Sequence, residues 1–283
     1  MIVSVSRRTD VPGFYWDWFL HRLRAGYAMT RNPMNANQIK RVELNERDVD
    51  GFVFWTKNPL PMLEKGLDQI EPYPYYIQLT ITGYGPDVEP SLPPKSQLIQ
   101  AVKQLSARIG PKRILWRYDP ILFSPVHTMD WHEHKFAEMS RALSAHVDGC
   151  TISFLDEYKK IARALAEMHA RRPDEAERIE LARRCLSIAK GENLALSGCV
   201  DEGLGLAPGP CVDHVRLSLI AGYEIAAQRD RSQRGGCACA KSVDIGAYHC
   251  CPHGCRYCYA NISMEAVARN AGRHTPHGAF LID

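Results

Sequence analysis

The feature that most limits what this chain can become is a repeated unit: a short apolar run, a polar cluster, then a stretch with helical spacing. Candidate strands fall at residues 2–6, 51–55, 75–82, 113–117, 150–154 and 194–198. Helices fit between them. Ser96 reads as the N-cap of a helix running to Gly110-Pro111. Asp130 with Glu133 opens another, in which Phe136, Met139, Leu143 and Val147 keep helical spacing. A third opens at Pro173-Asp174 and closes at Gly191, with acids early and Arg183-Arg184 late, as the helix dipole favours. Alternation at this pace calls for a parallel sheet with helices outside it. The expected fold is α/β, a partial or full (βα) barrel in preference to a flat doubly wound sheet. No glycine-rich dinucleotide fingerprint follows any strand.

With 283 residues the chain is long enough for a substantial core, and 45% hydrophobic with 24% charged residues is ordinary for a globular protein. We expect a single domain, with a barrel body over 1–230 and a cysteine-rich segment over 231–283. The proline-rich patch at 86–94 reads as one loop. A net charge of +3 without a basic block favours a small-molecule substrate over nucleic acid. No apolar run of membrane-spanning length occurs, and the apolar N-terminal stretch is too short for a signal-peptide core. The expectation is a cytoplasmic protein with no membrane association.

Polar residues gather just beyond the expected strands: Arg7-Arg8-Thr9-Asp10, Thr56-Lys57-Asn58, Thr80 and Thr82, Arg117 and Asp119, Asp156-Glu157, and Cys199 with Asp201-Glu202. In a (βα) barrel these would ring the C-terminal mouth, where active sites of that architecture form. Strand ends are also polar simply because the chain leaves the core there.

Ten cysteines in a cytosolic chain argue for metal rather than disulfides, and none precedes Cys150. Cys251-Pro-His-Gly-Cys255-Arg-Tyr-Cys258 offers three soft thiolates to an iron–sulfur cube and leaves the fourth iron open. Alternatives are a closed zinc site completed by His253 or His249, a Cys255–Cys258 redox pair, and a closed electron-transfer cluster. Cys250 adjoins the box, but Cys251 has the required spacing. Cys199, Cys211, Cys237 and Cys239 suggest a second site, an auxiliary 4Fe–4S cluster ahead of zinc. Cys150 and Cys185 read as small buried hydrophobes.

The Cys-x3-Cys-x2-Cys spacing, with an aromatic residue before the last cysteine, resembles the cluster box of the radical S-adenosylmethionine enzymes. There the open iron chelates S-adenosylmethionine, which one electron cleaves to a 5′-deoxyadenosyl radical. The segments Ser-Arg-Arg-Thr-Asp10, Trp55-Thr-Lys-Asn-Pro59, Gln78-Leu-Thr-Ile-Thr-Gly83, Trp116-Arg-Tyr-Asp-Pro120, Ser153-Phe-Leu-Asp156 and Asp244-Ile-Gly through Asn261 resemble domain-of-unknown-function family 1848 from end to end. A looser similarity links the chain to spore photoproduct lyase and its relatives, whose box comes at the start of the barrel. Here it follows the other strands, which implies either a circular permutation, with residues 242–245 supplying the strand before the cluster, or an appended segment. The resemblance implies that Cys251, Cys255 and Cys258 hold a 4Fe–4S cluster and that Tyr257 packs beside the adenine. Lys57, Arg117 or Asp156 would grip the carboxylate, amine or ribose of S-adenosylmethionine, although Lys57 equally suits a solvated helix start and Arg117 a partner for Asp119. A flavodoxin- or ferredoxin-type reductant is implied. Rival readings are an iron–sulfur electron carrier or sensor, and a zinc-stabilised binding protein.

Overall fold

The computed structural model describes residues 1–199, 203–233 and 235–283; Asp201 and Glu202, two of the strand-end residues, lie outside them. The chain enters through β1 (Ile2–Val5) and forms an antiparallel hairpin from β2 (Tyr27–Asn32) and β3 (Asn35–Glu43). It then lays down β4 (Gly51–Thr56), β5 (Tyr75–Thr80), β6 (Ile114–Ile121), β7 (Gly149–Phe154), β8 (Leu196–Gly198), β9 (Ala207–Pro208) and β10 (Ser242–Asp244). Every expected strand is present; the hairpin was not expected.

Among the described residues, β10-β1-β4-β5-β6-β7-β8-β9 form one eight-stranded sheet in which each neighbouring pair is parallel. No closed sheet is found among them: β9 and β10 are its edges. The strand before the cysteine box does join the sheet, with Ser4 of β1 in register with Asp244 of β10. The first strand in sequence is thus second in space.

Helices α1 (Val11–Phe14), α2 (Trp16–Ala25), α3 (Leu60–Glu64), α4 (Lys95–Ile109), α5 (Met129–Leu143), α6 (Ala162–Glu167), α7 (Glu175–Gly191), α8 (His214–Ala221) and α9 (Met264–Ala271) connect or follow the strands. Strand side chains alternate between the two faces of a sheet. Val3 and Val5, Phe52 and Phe54, Ile77 and Leu79, and Trp116 and Tyr118 therefore share one face. They pack in the main core with Trp18 and Phe19 of α2, Val102 of α4, Phe136 of α5 and Leu181 of α7. Trp116 and Phe136 stack with ring centroids 5.2 Å apart. Cys150 and Cys185 are buried in the same core, as small hydrophobes would be.

Helix α7 opens at Asp174, as expected, and does so with a complete capping box between Asp174 and Glu177. Two other starts differ from expectation. Ser96 lies inside α4, whose N-cap is Pro94. Thr128, not Asp130, caps α5, its hydroxyl accepting the Trp131 amide at 3.3 Å. Among the described residues no helix is long and apolar enough to cross a membrane.

Candidate functional site at the carboxyl edge of the sheet

A parallel sheet covered on both faces normally carries near-continuous apolar strands. This one does not. Opposite the apolar face stand Ser4, Gln78, Arg117, Thr151 and Ser153, all buried. Where these strands end, a cavity of about 720 Å3 opens. It is lined by both cysteine sets, by Lys57, Arg117, Asp156 and Tyr257, and by Arg7, Arg8, Asp10, Thr80 and Asp119 of the strand ends. The sequence-predicted site residues therefore meet around one space, although they come from distant parts of the chain.

The Asp244 carboxylate ties β10 to β1. It accepts from the Ser4 and Ser6 hydroxyls at 2.9 and 2.6 Å and from the Arg7 and Gly246 amides at 2.8 and 3.0 Å. Arg7 and Arg8 flank it at 4.0 and 3.8 Å, so these two arginines have a structural partner in the rim. The cysteine loop follows. Gly254 turns it with φ +68°, a conformation that glycine adopts without steric cost. Below this turn the Cys258 amide donates to the Cys255 carbonyl at 3.0 Å, and the Asn261 side-chain amide donates to the Cys251 carbonyl at 2.8 Å.

Backbone N–H groups point at the sulfurs. The His253 and Asp10 backbones favour the thiolate of Cys251, and Cys258 accepts from the Ala260 amide at 3.4 Å. Burial pushes all three thiols up, Cys255 to about 12. Such thiols become thiolates when a metal replaces their protons. Cys250 lies outside the cavity lining and donates to the Ala247 carbonyl at 3.1 Å, leaving Cys251 as the member that faces the cavity.

Asp10 braces the loop from the other side. Its Oδ1 accepts the Gly13 amide at 2.8 Å, while Oδ2 accepts from the Lys57 amide at 2.8 Å and from His253 Nε2 at 2.7 Å. Among the described residues, His253 Nδ1 is buried without a hydrogen-bond partner. His249 Nδ1 accepts the Ile262 amide at 3.0 Å, and this residue lines a separate, smaller cavity.

Sequence reasoning missed Glu89. This carboxylate is buried and accepts from Lys57 Nζ and Thr82 Oγ1, each at 2.9 Å, and from Lys95 Nζ and the Tyr257 hydroxyl. Burial opposes its charge, but the two lysines outweigh that and hold its pKa at about 2. Burial also works against the Lys57 ammonium, yet Glu89 leaves its pKa raised; at Lys95 burial prevails and lowers it. Lys57 is therefore not a solvated helix-start residue. Its ammonium sits 5.4 Å from the centre of the Tyr257 ring, which also packs near Tyr84.

Arg117 is engaged by a carboxylate and by the second cysteine set. Its Nε and Nη2 donate to Asp119 at 3.1 and 2.6 Å, and its Nη1 donates to Cys211 Sγ at 3.2 Å. Asp156 accepts from Arg172 at 3.0 Å. Around Arg117 the second cysteine set is drawn together. Cys199 and Cys211 have their sulfurs 3.6 Å apart, and the Cys211 amide donates to Cys239 Sγ at 3.1 Å. Cys237 and Cys239 are buried in the same cluster as Cys199 and Cys211. The Cys211 thiol is pulled well down, first by the hydrogen bonds from Cys199 and Cys239 and then by Arg117; its two thiol neighbours are pushed up. The Cys211 carbonyl accepts from the Tyr76 hydroxyl at 2.7 Å and from the Gln78 amide at 2.9 Å, which anchors this loop to the polar face of β5. Among the described residues no group of three or more His, Cys, Asp or Glu side chains is arranged to hold a metal ion. The donor chemistry of the C-terminal loop nevertheless suits one: three thiols on one short loop, Cys251 buried and Cys255 and Cys258 partly so, all facing one cavity.

An open parallel α/β sheet with a cysteine-lined cavity at its carboxyl edge defines the class of protein. The chain belongs to the family described as Domain of unknown function (DUF1848), whose model matches residues 2–260. No curated protein and no solved structure matches it.

Proposed function

We propose that this protein is a radical S-adenosylmethionine enzyme acting on a small molecule, built on a partial (βα) barrel of that superfamily's type. What carries the reading is the opening of Cys251, Cys255 and Cys258 into the same cavity as Lys57, Asp156 and Tyr257. These cysteines would hold a 4Fe–4S cluster, which when bound supplies the electron that cleaves S-adenosylmethionine. Tyr257 and the Glu89–Lys57 pair would form one wall of the cofactor site. Asp10 would keep the cysteine loop in place through His253. Asp156, on the strand-end side, would orient the cofactor or the substrate. The reductant would be a flavodoxin or ferredoxin, in the cytoplasm.

The test is anaerobic purification with iron and sulfide analysis, followed by addition of dithionite and S-adenosylmethionine. We expect 5′-deoxyadenosine to form, and to be lost when Cys251, Cys255 and Cys258 are replaced by alanine. Iron–sulfur protein that releases none, and whose reduced cluster signal does not respond to S-adenosylmethionine, would instead be an electron carrier or sensor.

One observation favours a zinc reading of the same loop. His253 has a carboxylate on Nε2 and a buried Nδ1 without a partner among the described residues, the arrangement by which a carboxylate orients a metal-binding histidine. Zinc without sulfide, lost on His253→Ala, would establish it.

A further inference from the structure

The second cysteine set is formed by three separate pieces of chain. Cys199 follows β8, Cys211 lies between β9 and α8, and Cys237 and Cys239 share a loop ahead of β10. All four side chains are buried, in a cluster with Ile2, Val53 and Tyr76. Little regular structure holds them there: β8 and β9 have three and two residues, and α8 has eight.

Spacing between the sulfurs discriminates among metal centres. In a tetrahedral four-thiolate site with metal–sulfur bonds of about 2.3 Å, neighbouring sulfurs lie about 3.8 Å apart. Thiolates on different irons of a cubane cluster are separated by the cluster's own edge and stand much farther apart. Cys199 and Cys211 are 3.6 Å apart. That suits two ligands of one ion and not two corners of a cube. Cys237 and Cys239 line the same cavity and share the same buried cluster, and the Cys211 amide donates to Cys239 Sγ at 3.1 Å, so binding would have only to draw neighbouring thiols round a common centre.

The surroundings suit a dianionic centre. Arg117 Nη1 donates to Cys211 Sγ at 3.2 Å, and the Cys211 amide donates to Cys239 Sγ at 3.1 Å. Hydrogen bonds to sulfur and a nearby cation are the outer contacts that stabilise metal-bound thiolates.

We propose that Cys199, Cys211, Cys237 and Cys239 form a structural four-thiolate site for a single zinc ion. Uptake of one Zn2+ forms four Zn–S bonds and releases four protons from four thiols, with no change in oxidation state. This replaces the auxiliary 4Fe–4S cluster expected from sequence, and it does not depend on radical chemistry at the C-terminal loop.

The experiment measures metal in the full chain carrying Cys251→Ala, Cys255→Ala and Cys258→Ala, so that the other site contributes nothing. We expect one equivalent of zinc, with X-ray absorption showing four sulfurs at about 2.3 Å. Further replacement of Cys237 and Cys239 by serine should release it. Should these variants fail to fold, wild-type protein decides: a zinc absorption edge with sulfur-only ligation supports the site, because the C-terminal loop offers three thiols and a histidine. Iron with sulfide in the triple variant, iron without sulfide, or no metal in soluble protein supplied with zinc would each overturn the assignment.

Discussion

Asp10 Oδ2 accepts from His253 Nε2 at 2.7 Å, so one carboxylate joins the loop after the first strand to the middle of the cysteine loop. The same oxygen also accepts the Lys57 amide, and Oδ1 accepts the Gly13 amide. Asparagine has one acceptor where aspartate has two. Asp10→Asn therefore sets a donor against a donor, and we expect a loss of about 1–3 kcal/mol in urea unfolding. An unchanged midpoint would mean that the carboxylate does not brace the loop.

The buried Glu89 answers two half-buried lysines. Replacing it by glutamine leaves both ammonium groups without their counter-charge, at an expected cost of about 3–5 kcal/mol. Lys95→Met should cost less, because Lys57 still pairs with Glu89 at 2.9 Å. Equal losses in the two variants would contradict the hub arrangement.

His132 makes stability depend on pH. Burial pushes its pKa down to about 4, and the neutral ring bonds the Tyr118 hydroxyl at 2.9 Å and the Leu122 carbonyl at 2.8 Å. A depressed pKa means that the unfolded chain binds the proton first. The contribution is fully present above about pH 6.5 and fades as the pH falls towards about 4, by about 3 kcal/mol. Urea midpoints measured between pH 7 and pH 4.5 should fall in wild type, and His132→Gln should flatten that slope.

Gly254 sits at φ +68° in the cysteine loop, and a Cβ there would lie 3.2 Å from Pro90 Cγ. Gly254→Ala adds about 1–2 kcal/mol of backbone strain beside Cys255. We expect lower iron and sulfide retention in anaerobically purified protein, with only a modest drop in melting temperature. Full retention would show that the loop tolerates another turn.

Much of the architecture was legible because parallel βα units advertise themselves: 51–55 and 150–154 were read as strands almost to the residue. The hairpin from Tyr27 to Glu43 was not, because most of β3 is exposed and carries no apolar alternation. The polar inner face did leave a trace. Ser4, Gln78, Thr151 and Ser153 interrupt otherwise apolar runs at period two, and that interruption marks the face that meets the cavity. Glu89 was hidden for another reason. It stands in a proline-rich loop, and its partners Lys57, Thr82 and Tyr257 come together only in three dimensions. Arg117 was legible as a partner of Asp119, but its bond to Cys211 was not.

The pairing of β10 with β1 sets an order of events during synthesis. The first strand leaves the ribosome early, yet its outer neighbour follows only at Ser242–Asp244. Until then one side of β1 has no partner, and the Ser4 and Ser6 hydroxyls wait for the Asp244 carboxylate. Cys251, Cys255 and Cys258 emerge later still. Every strand of the sheet is thus made before the loop that would load the metal, so that loop meets a cavity wall whose strands are already in the chain.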